Sequence, residues 1–461
     1  MIAPNTCPET CAPGTCAAER GHVVNSCKLC APLGASLAYK GVKGCVPLVH
    51  GSQGCATYIR RYLISHFREP VDIASSNFSE SSAVFGGLDN FHKAIDNIAS
   101  QYSPELVGVA STCLSETIGD DLPMFVSEHR KARPDGPCLV CASTPSYHGT
   151  HMDGFHAVVK ALVAALAAPG PKGKHVNIFP GFVSPADLRH LKDLLASFEL
   201  PYVMVPDYSE TLDGPNWDTY HRVPEGGVSL DALRLTGSAL ASIEFGSIPH
   251  CGLKGGVSAA EFLEQSFGVE AIRLPMPIGI DNTDALMKLL AKLSGASVPD
   301  AHRRERGRLV DAYVDSHKYL QGKRAAVFGD EDMVAALSDF LSEVGVEPIL
   351  CASGGESGAL EAAVSPKCPG ALVLQGADHD AIDRACERLK PDLLVGSSRG
   401  YQCSRKLGIP LIRMGFPVHD RLGAQRIRHL GYTGAQELLD RVANALVEHK
   451  QNASPVGYKY I

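Results

Sequence analysis

Three cysteines of this chain stand in settings suited to soft-metal chemistry: Cys30 in CAPLGA, Cys55 in HGSQGC and Cys113 in STCLSET. Small residues flank each of them, which lets inorganic sulfide approach the backbone closely. Thiolate is the soft ligand that iron–sulfur clusters use, and four cysteines ordinarily hold one cluster. A set of three therefore points to further ligands from a second chain. Cys55 follows His50-Gly51-Ser52-Gln53-Gly54, with no large apolar neighbour. That is a poor packing site for a structural thiol, and loop N–H groups there can hydrogen-bond to sulfide. Cys27 and Cys30 also form a C-x-x-C pair, which fits zinc or a redox dithiol. No second such pair follows at zinc-ribbon spacing, and Cys138-x-x-Cys141 sits in an apolar run.

The chain has 15 cysteines, an odd number. Cys138, Cys141, Cys351, Cys368, Cys386 and Cys403 read as small buried hydrophobes. Cys7, Cys11 and Cys16 lie in a Pro- and Gly-containing stretch at spacings that could bind a metal, although reduced thiols of a mobile tail are the favoured reading. A formal net charge of −7 argues against nucleic acid or an anionic membrane as the main partner. No apolar run approaches the roughly 20 residues that span a bilayer. MIAPNTCPETCAPGTC lacks the basic-then-apolar order of a secretory signal, so the expected location is cytoplasmic.

The elements that must position these residues read as α/β. With 461 residues the length prior suggests about three domains. ELVGVASTC reads as a buried strand ending at Cys113, and LSETIGDDLPMFVSEHRK as helical. CLVCASTPSY is a strand running into a loop that carries Ser146, and GFHAVVKALVAALA is an apolar helix. Pro169, Gly170, Pro171 and Gly173 then break the chain. A second unit runs from HVNIFPG through SPADLRHLKDLLASF and YVMVPD. An arginine-rich helix, DAHRRERGRLVDAYVDSHKYL, leads to a third, with RAAVFGD, EPILCAS, ALVLQG, PDLLVGSS and IPLIRMG as strands. The expected organisation is a tail at 1–26 and three doubly wound, Rossmann-like domains with parallel sheets at 27–170, 171–300 and 301–461. In open parallel sheets function sits at the carboxyl ends of strands, which groups Cys113 with Ser146.

The runs CKLCAPLGASLAYKGVKGCVPLVHGSQGCATYIRRYLISHFREP, SSNFSESSAVFGG, STCLSETIGDDLP, TPSYHGTHMDGF and IPLIRMGFPVHDRLGAQR resemble the β-type subunits of the nitrogenase superfamily. The resemblance spans nearly the whole chain. It implies the three-domain fold of nitrogenase component 1 and an α2β2 heterotetramer with an α-type subunit. It further implies an [8Fe-7S] P-cluster at the αβ interface, with [4Fe-4S] as the smaller alternative, charged by an ATP-dependent Fe protein. Carried over by motif, Cys30, Cys55 and Cys113 match the β-side cluster cysteines. Ser146 matches the serine that can ligate iron in the oxidised cluster, although a loop serine capping the next helix is the bland reading. Tyr58 matches a tyrosine beside the cluster, and Phe85 an aromatic where the Fe protein docks. Cys45 has no ligand role in that family.

Motifs for holding the large catalytic cluster are absent. His148, His151, His250 and Cys251 read as local structure, so substrate chemistry is expected in the α-type partner. Two functions follow from the resemblance. One is an electron-relay subunit of a nitrogenase-like reductase, whether nitrogenase itself or a relative cleaving the C–S bond of methylthio-alkanes, with dinitrogenase proper the less expected because the wording differs from its β chain. The other is a scaffold subunit on which the nitrogenase cofactor is assembled. ATYIRRYLISHFREP, TPSYHGTHMDGF and GFPVHDRLGAQR lean towards the scaffold type, whereas the full ligand set with Ser146 favours the reductase. Protochlorophyllide-type reductases are a remoter match.

Overall fold

The computed structural model describes residues 26–249 and 256–457. Its strands form three sheets, every pairing parallel. The first holds β1 (Cys45–His50), β2 (Ala74–Ser75), β3 (Leu106–Ser111) and β4 (Cys138–Ala142), in the order β2-β1-β3-β4. The second holds β5 (Val176–Phe179), β6 (Tyr202–Met204), β7 (Ala241–Phe245) and β8 (Glu270–Leu274), ordered β6-β5-β7-β8. The third holds β9 (Arg324–Gly329), β10 (Glu347–Ser353), β11 (Leu372–Leu374), β12 (Leu393–Gly396) and β13 (Leu411–Arg413), ordered β11-β10-β9-β12-β13.

Continuous apolar runs suit such strands because helices cover both faces of a parallel sheet. All six residues of β3 are buried. Its Val107 and Val109 pack with Phe91, Ile95 and Phe125 on one face, while Leu106 and Ala110 join the large core that runs through all three units. Pro47 interrupts β1, but β2 pairs with β1 only at Leu48 and Val49, so Pro47 has one neighbouring strand. This tolerates its missing N–H.

Two features place the N-terminal cysteine loop. The helix Ala31–Lys40 is buried on every side, and its Tyr39 hydroxyl contacts the carbonyls of Val109 and Val140 at 3.2 and 3.0 Å. That helix crosses His151–Leu166 at two glycines. A Cβ on Gly34 would lie 1.6 Å from the His151 carbonyl oxygen, and one on Gly154 would lie 1.9 Å from that of Ala31. Only glycine allows this approach.

Two sequence expectations are adjusted. β3 ends at Ser111, two residues before Cys113, which instead opens a helix. The following segment is two helices, Cys113–Ile118 and Leu122–Ala132, because Gly119 adopts a left-handed conformation and Asp121 caps the second. Cys7, Cys11, Cys16, His250 and Cys251 lie outside the described residues.

His66, in the helix Gln53–Phe67, ties the first unit to the third: its Nδ1 accepts the Val418 N–H at 2.9 Å. Burial, then His419 and Arg68, lower its pKa to about 3. Below pH 6.5 the unfolded chain therefore takes a proton that the folded one refuses. Stability is expected to fall as pH drops from 6.5 towards 3, by up to about 1.4 kcal/mol per pH unit from this group. Denaturant melts of wild type and His66→Gln across that range test it, the variant having the shallower slope.

Candidate cluster-binding site

In the first sheet the chain leaves β1 towards β2 on one side and returns to β3 on the other. The crevice between the carboxyl ends of β1 and β3 is thus the topological switch point, where ligands bind in open α/β sheets. His50 and Ser111, the last residues of these strands, are register partners. Cys55 follows five residues after His50, and Cys113 two after Ser111.

Each of the three cysteines sits at a helix N-terminus. Cys30 is the N-cap of Ala31–Lys40, Cys55 lies in the first turn of Gln53–Phe67, and Cys113 opens Cys113–Ile118. Unpaired N–H groups at such ends favour negative charge nearby. Cys113 is set by Thr112, whose hydroxyl accepts the Ser115 N–H. Cys55 is set by Ser52, which accepts the Gly54 N–H.

Ser146 joins two of the cysteine loops. Its Oγ accepts the Ala31 N–H at 3.2 Å, and its own N–H donates to Cys113 Sγ at 3.2 Å. The loop serine does cap a helix, but not the one that follows it. The helix His151–Leu166 is capped by Thr150 and Asp153, whereas Ser146 supplies the cap that the side chain of Cys30 does not. Ser146→Ala is expected to cost about 1 kcal/mol, as loss of an N-cap does, read from denaturant unfolding.

The thiols also sense one another. Burial first, with the nearby Cys55 and Cys113 adding to it, pushes the Cys30 thiol up to about 11. Burial and then Cys113 raise Cys55. Metal-free Cys30 and Cys55 would be protonated at neutral pH, and a cationic metal–sulfide core is what would draw those protons off. All three are free and only part-buried, unlike Cys45, Cys351, Cys368, Cys386 and Cys403, which are buried. The C-x-x-C pair diverges. Cys27 packs against the core of the third unit, near Asp330 and Gly354, and burial pushes its thiol up to about 12. Among the described residues no three His, Cys, Asp or Glu side chains form a group that could hold a single metal ion. The donor set fits a multi-atom cluster completed by other ligands better than zinc.

Tyr58 is 39% exposed, one turn after Cys55. Its ring lies 4.7 Å from that of Tyr62, whose hydroxyl accepts from Arg399 at 3.0 Å. Burial raises the Tyr58 phenol, with Tyr62 and Cys30 contributing. Phe85, at the end of the helix Glu80–Phe85, is 87% exposed beside Val84 at 74%. His148 is exposed. His151 is buried, with Nδ1 accepting from Leu29 N–H at 3.4 Å and Nε2 3.0 Å from Asp330.

Sequence reasoning missed three supports of the site: the Gly34–Gly154 crossing, the cap from Ser146, and a buried His50–Asp120 pair at 3.0 Å. Burial holds the His50 pKa below its ordinary value, with Asp120 opposing. Only Thr112 left a local signal, a Thr three residues before Ser115 where the apolar strand ends.

The family described as nitrogenase component 1 type oxidoreductase matches residues 30–447. The chain is 36% identical over 433 residues to the nitrogenase molybdenum-iron protein beta chain of Clostridium pasteurianum, covering 92% of this chain and 93% of that one. It is 35% identical to the vanadium-iron protein beta chain of Trichormus variabilis, covering 93% and 95%. Among solved structures, a chain of "Nitrogenase Cp1 at pH 6.5" superposes with a TM-score of 0.92 at 34% identity, covering 97% of this chain and 98% of that one. A chain of "Nitrogenase Cp1 at pH 5" shares the fold at 17% identity and a TM-score of 0.69. The chain belongs to the nitrogenase component 1 type oxidoreductases, and along nearly its full length it is similar to their beta chains.

Proposed function

We propose that this chain is the β-type subunit of a nitrogenase-like reductase. In this reading it relays electrons from an ATP-dependent Fe protein to the catalytic cluster of an α-type partner, in an α2β2 complex. Cys30, Cys55 and Cys113 would hold its half of an interface iron–sulfur cluster of the [8Fe-7S] type. Such a cluster, when bound, accepts and releases single electrons at a potential set by burial and hydrogen bonds to sulfur. The observation that supports the proposal is that three part-buried thiols, each at a helix N-terminus near the switch point, influence one another electrostatically, with Ser146 bonded to Cys113 and to the N–H that follows Cys30.

The chain's own residues divide the work. Three helix ends favour the negative charge that thiolates and sulfides bring. The N–H of Ser146 is already directed at the Cys113 sulfur. Its Oγ accepts the Ala31 N–H with one lone pair, and the second would remain to hold iron in the oxidised cluster. A serine alkoxide is a harder ligand than thiolate and would favour the oxidised form. Ser146→Ala should therefore leave the reduced cluster intact and change the EPR spectrum of the oxidised complex. Exposed Val84 and Phe85 offer an apolar docking surface for the Fe protein. Phe85→Ala is expected to raise the reductase concentration needed for half-maximal rate about tenfold, the loss of one hot-spot side chain, without changing iron content.

The deciding experiment is purification of the chain with its α-type partner, followed by iron analysis and assay on dinitrogen, acetylene and a methylthio-alkane. Reduction of any of these with ATP and the Fe protein supports the relay. An iron-loaded complex that reduces none of them and hands a finished cofactor to another protein would establish the scaffold instead.

A further inference from the structure

Phe85 ends its helix, and the chain then turns through Gly86 and Gly87. The Gly87 N–H donates to Oδ1 of Asp120 at 3.1 Å. Oδ2 of the same carboxylate meets Nε2 of His50 at 3.0 Å. The His50 carbonyl in turn accepts the Thr112 hydroxyl at 3.0 Å, and Thr112 caps the helix that Cys113 opens. His50 also ends β1, directly before the loop that leads to Cys55. A Cβ on Gly51 of that loop would lie 2.2 Å from Thr112 Oγ1, so the two cysteine loops press on each other.

This path starts at an exposed surface and runs inward. The side chains of His50 and Asp120 are only 0% and 4% exposed. The His50 ring is held edge-on by Phe78, Phe91 and Phe125, at centroid distances of 4.8, 5.5 and 5.9 Å. A Cβ on Gly87 would lie 2.3 Å from Phe78 and 2.6 Å from Asp120 Oδ2. The turn after Phe85 is therefore in tight contact with a ring and a carboxylate that have little room to absorb a displacement. Close-packed interiors pass such displacements on.

We propose that Asp120 and His50 are positioning residues that couple the Phe85 surface to the loops bearing Cys55 and Cys113. The proposal rests on reading Phe85 as the docking residue for the reductase. Pressure on the helix Glu80–Phe85 moves the Gly87 N–H, the Asp120 carboxylate follows it, and His50 carries the shift to Thr112 and to the end of β1. Both loops are reached through one buried hydrogen bond, between His50 Nε2 and Asp120 Oδ2.

The test is amide hydrogen exchange on the assembled complex, with and without the Fe protein and a non-hydrolysable ATP analogue. In the wild type, docking should slow exchange at residues 80–88 and, by roughly threefold, at 51–55 and 112–115. Asp120→Ala should keep the effect at 80–88 and lose it in both cysteine loops. Asp120→Asn is the conservative rescue. It can accept from Gly87 and donate to His50 once the imidazole proton moves to Nδ1; that proton is then buried without an acceptor, so the variant loses stability while keeping both hydrogen bonds. Coupled protection should return in that variant. Protection of the loops in Asp120→Ala, its absence in Asp120→Asn, or wild-type protection confined to 80–88 each overturns the coupling alone. No wild-type protection at 80–88 removes the docking reading, and the coupling with it.

Discussion

Cys55→Ala is expected to abolish turnover by the assembled complex and to strip iron from the proposed subunit interface, while the chain keeps its fold. The cysteine occupies the first turn of a helix whose cap, Ser52, is untouched by the change. Its neighbour Gly54 is exposed and Cys55 is only part-buried, so little packing is lost. What disappears is one of three coupled thiols at the switch point. A cluster short of a protein ligand either opens to solvent or loses iron, and its potential moves with it. Iron per αβ pair, the EPR spectrum and the reduction rate should all fall together, with circular dichroism unchanged. A full eight-iron spectrum in this variant would falsify the ligand assignment.

Gly34→Val should be the most damaging single substitution outside the thiols, at more than about 3 kcal/mol. The new Cβ would have to sit 1.6 Å from the His151 carbonyl oxygen, which is backbone and cannot rotate away. The helices Ala31–Lys40 and His151–Leu166 must then separate. Separation draws Cys30 away from Ser146, so metal loading falls as well as stability. Gly307→Ala is the control. It lies in the helix Asp300–Leu320 with nothing near its Cβ position, and the helix propensity of alanine should add up to about 1 kcal/mol. Denaturant unfolding of the two variants beside the wild type checks both signs. Equal stability of Gly34→Val and the wild type would mean that the crossing is not needed.

Much of the architecture was legible because parallel α/β units write themselves locally. Runs such as RAAVFGD and EPILCAS fall on β9 and β10, and EDMVAALSDFLSEVG falls on the helix Glu331–Glu343. Less visible were β1, with a proline inside it, and β7 and β8, where SIEF and AIRL mix charge into the apolar pattern. Their strand character comes from pairing with neighbours, and no local pattern announces that. The break at Gly119 was equally hidden, since helical spacing continued across it.

For the site, the chain alone determined which chemistry is available: soft thiolate donors beside small residues, in numbers too few to complete a cluster. Residue type and immediate neighbours carry that information. Tertiary structure decided the rest. Cys27 and Cys30 look like a pair three residues apart, yet they face different cores. Ser146 serves a helix 115 residues earlier rather than its own neighbour. His50 and Asp120, 70 residues apart, meet only because β1 and β3 lie side by side. Ligand identity is a property of single residues, whereas convergence is a property of the sheet order and of how closely two helices can cross.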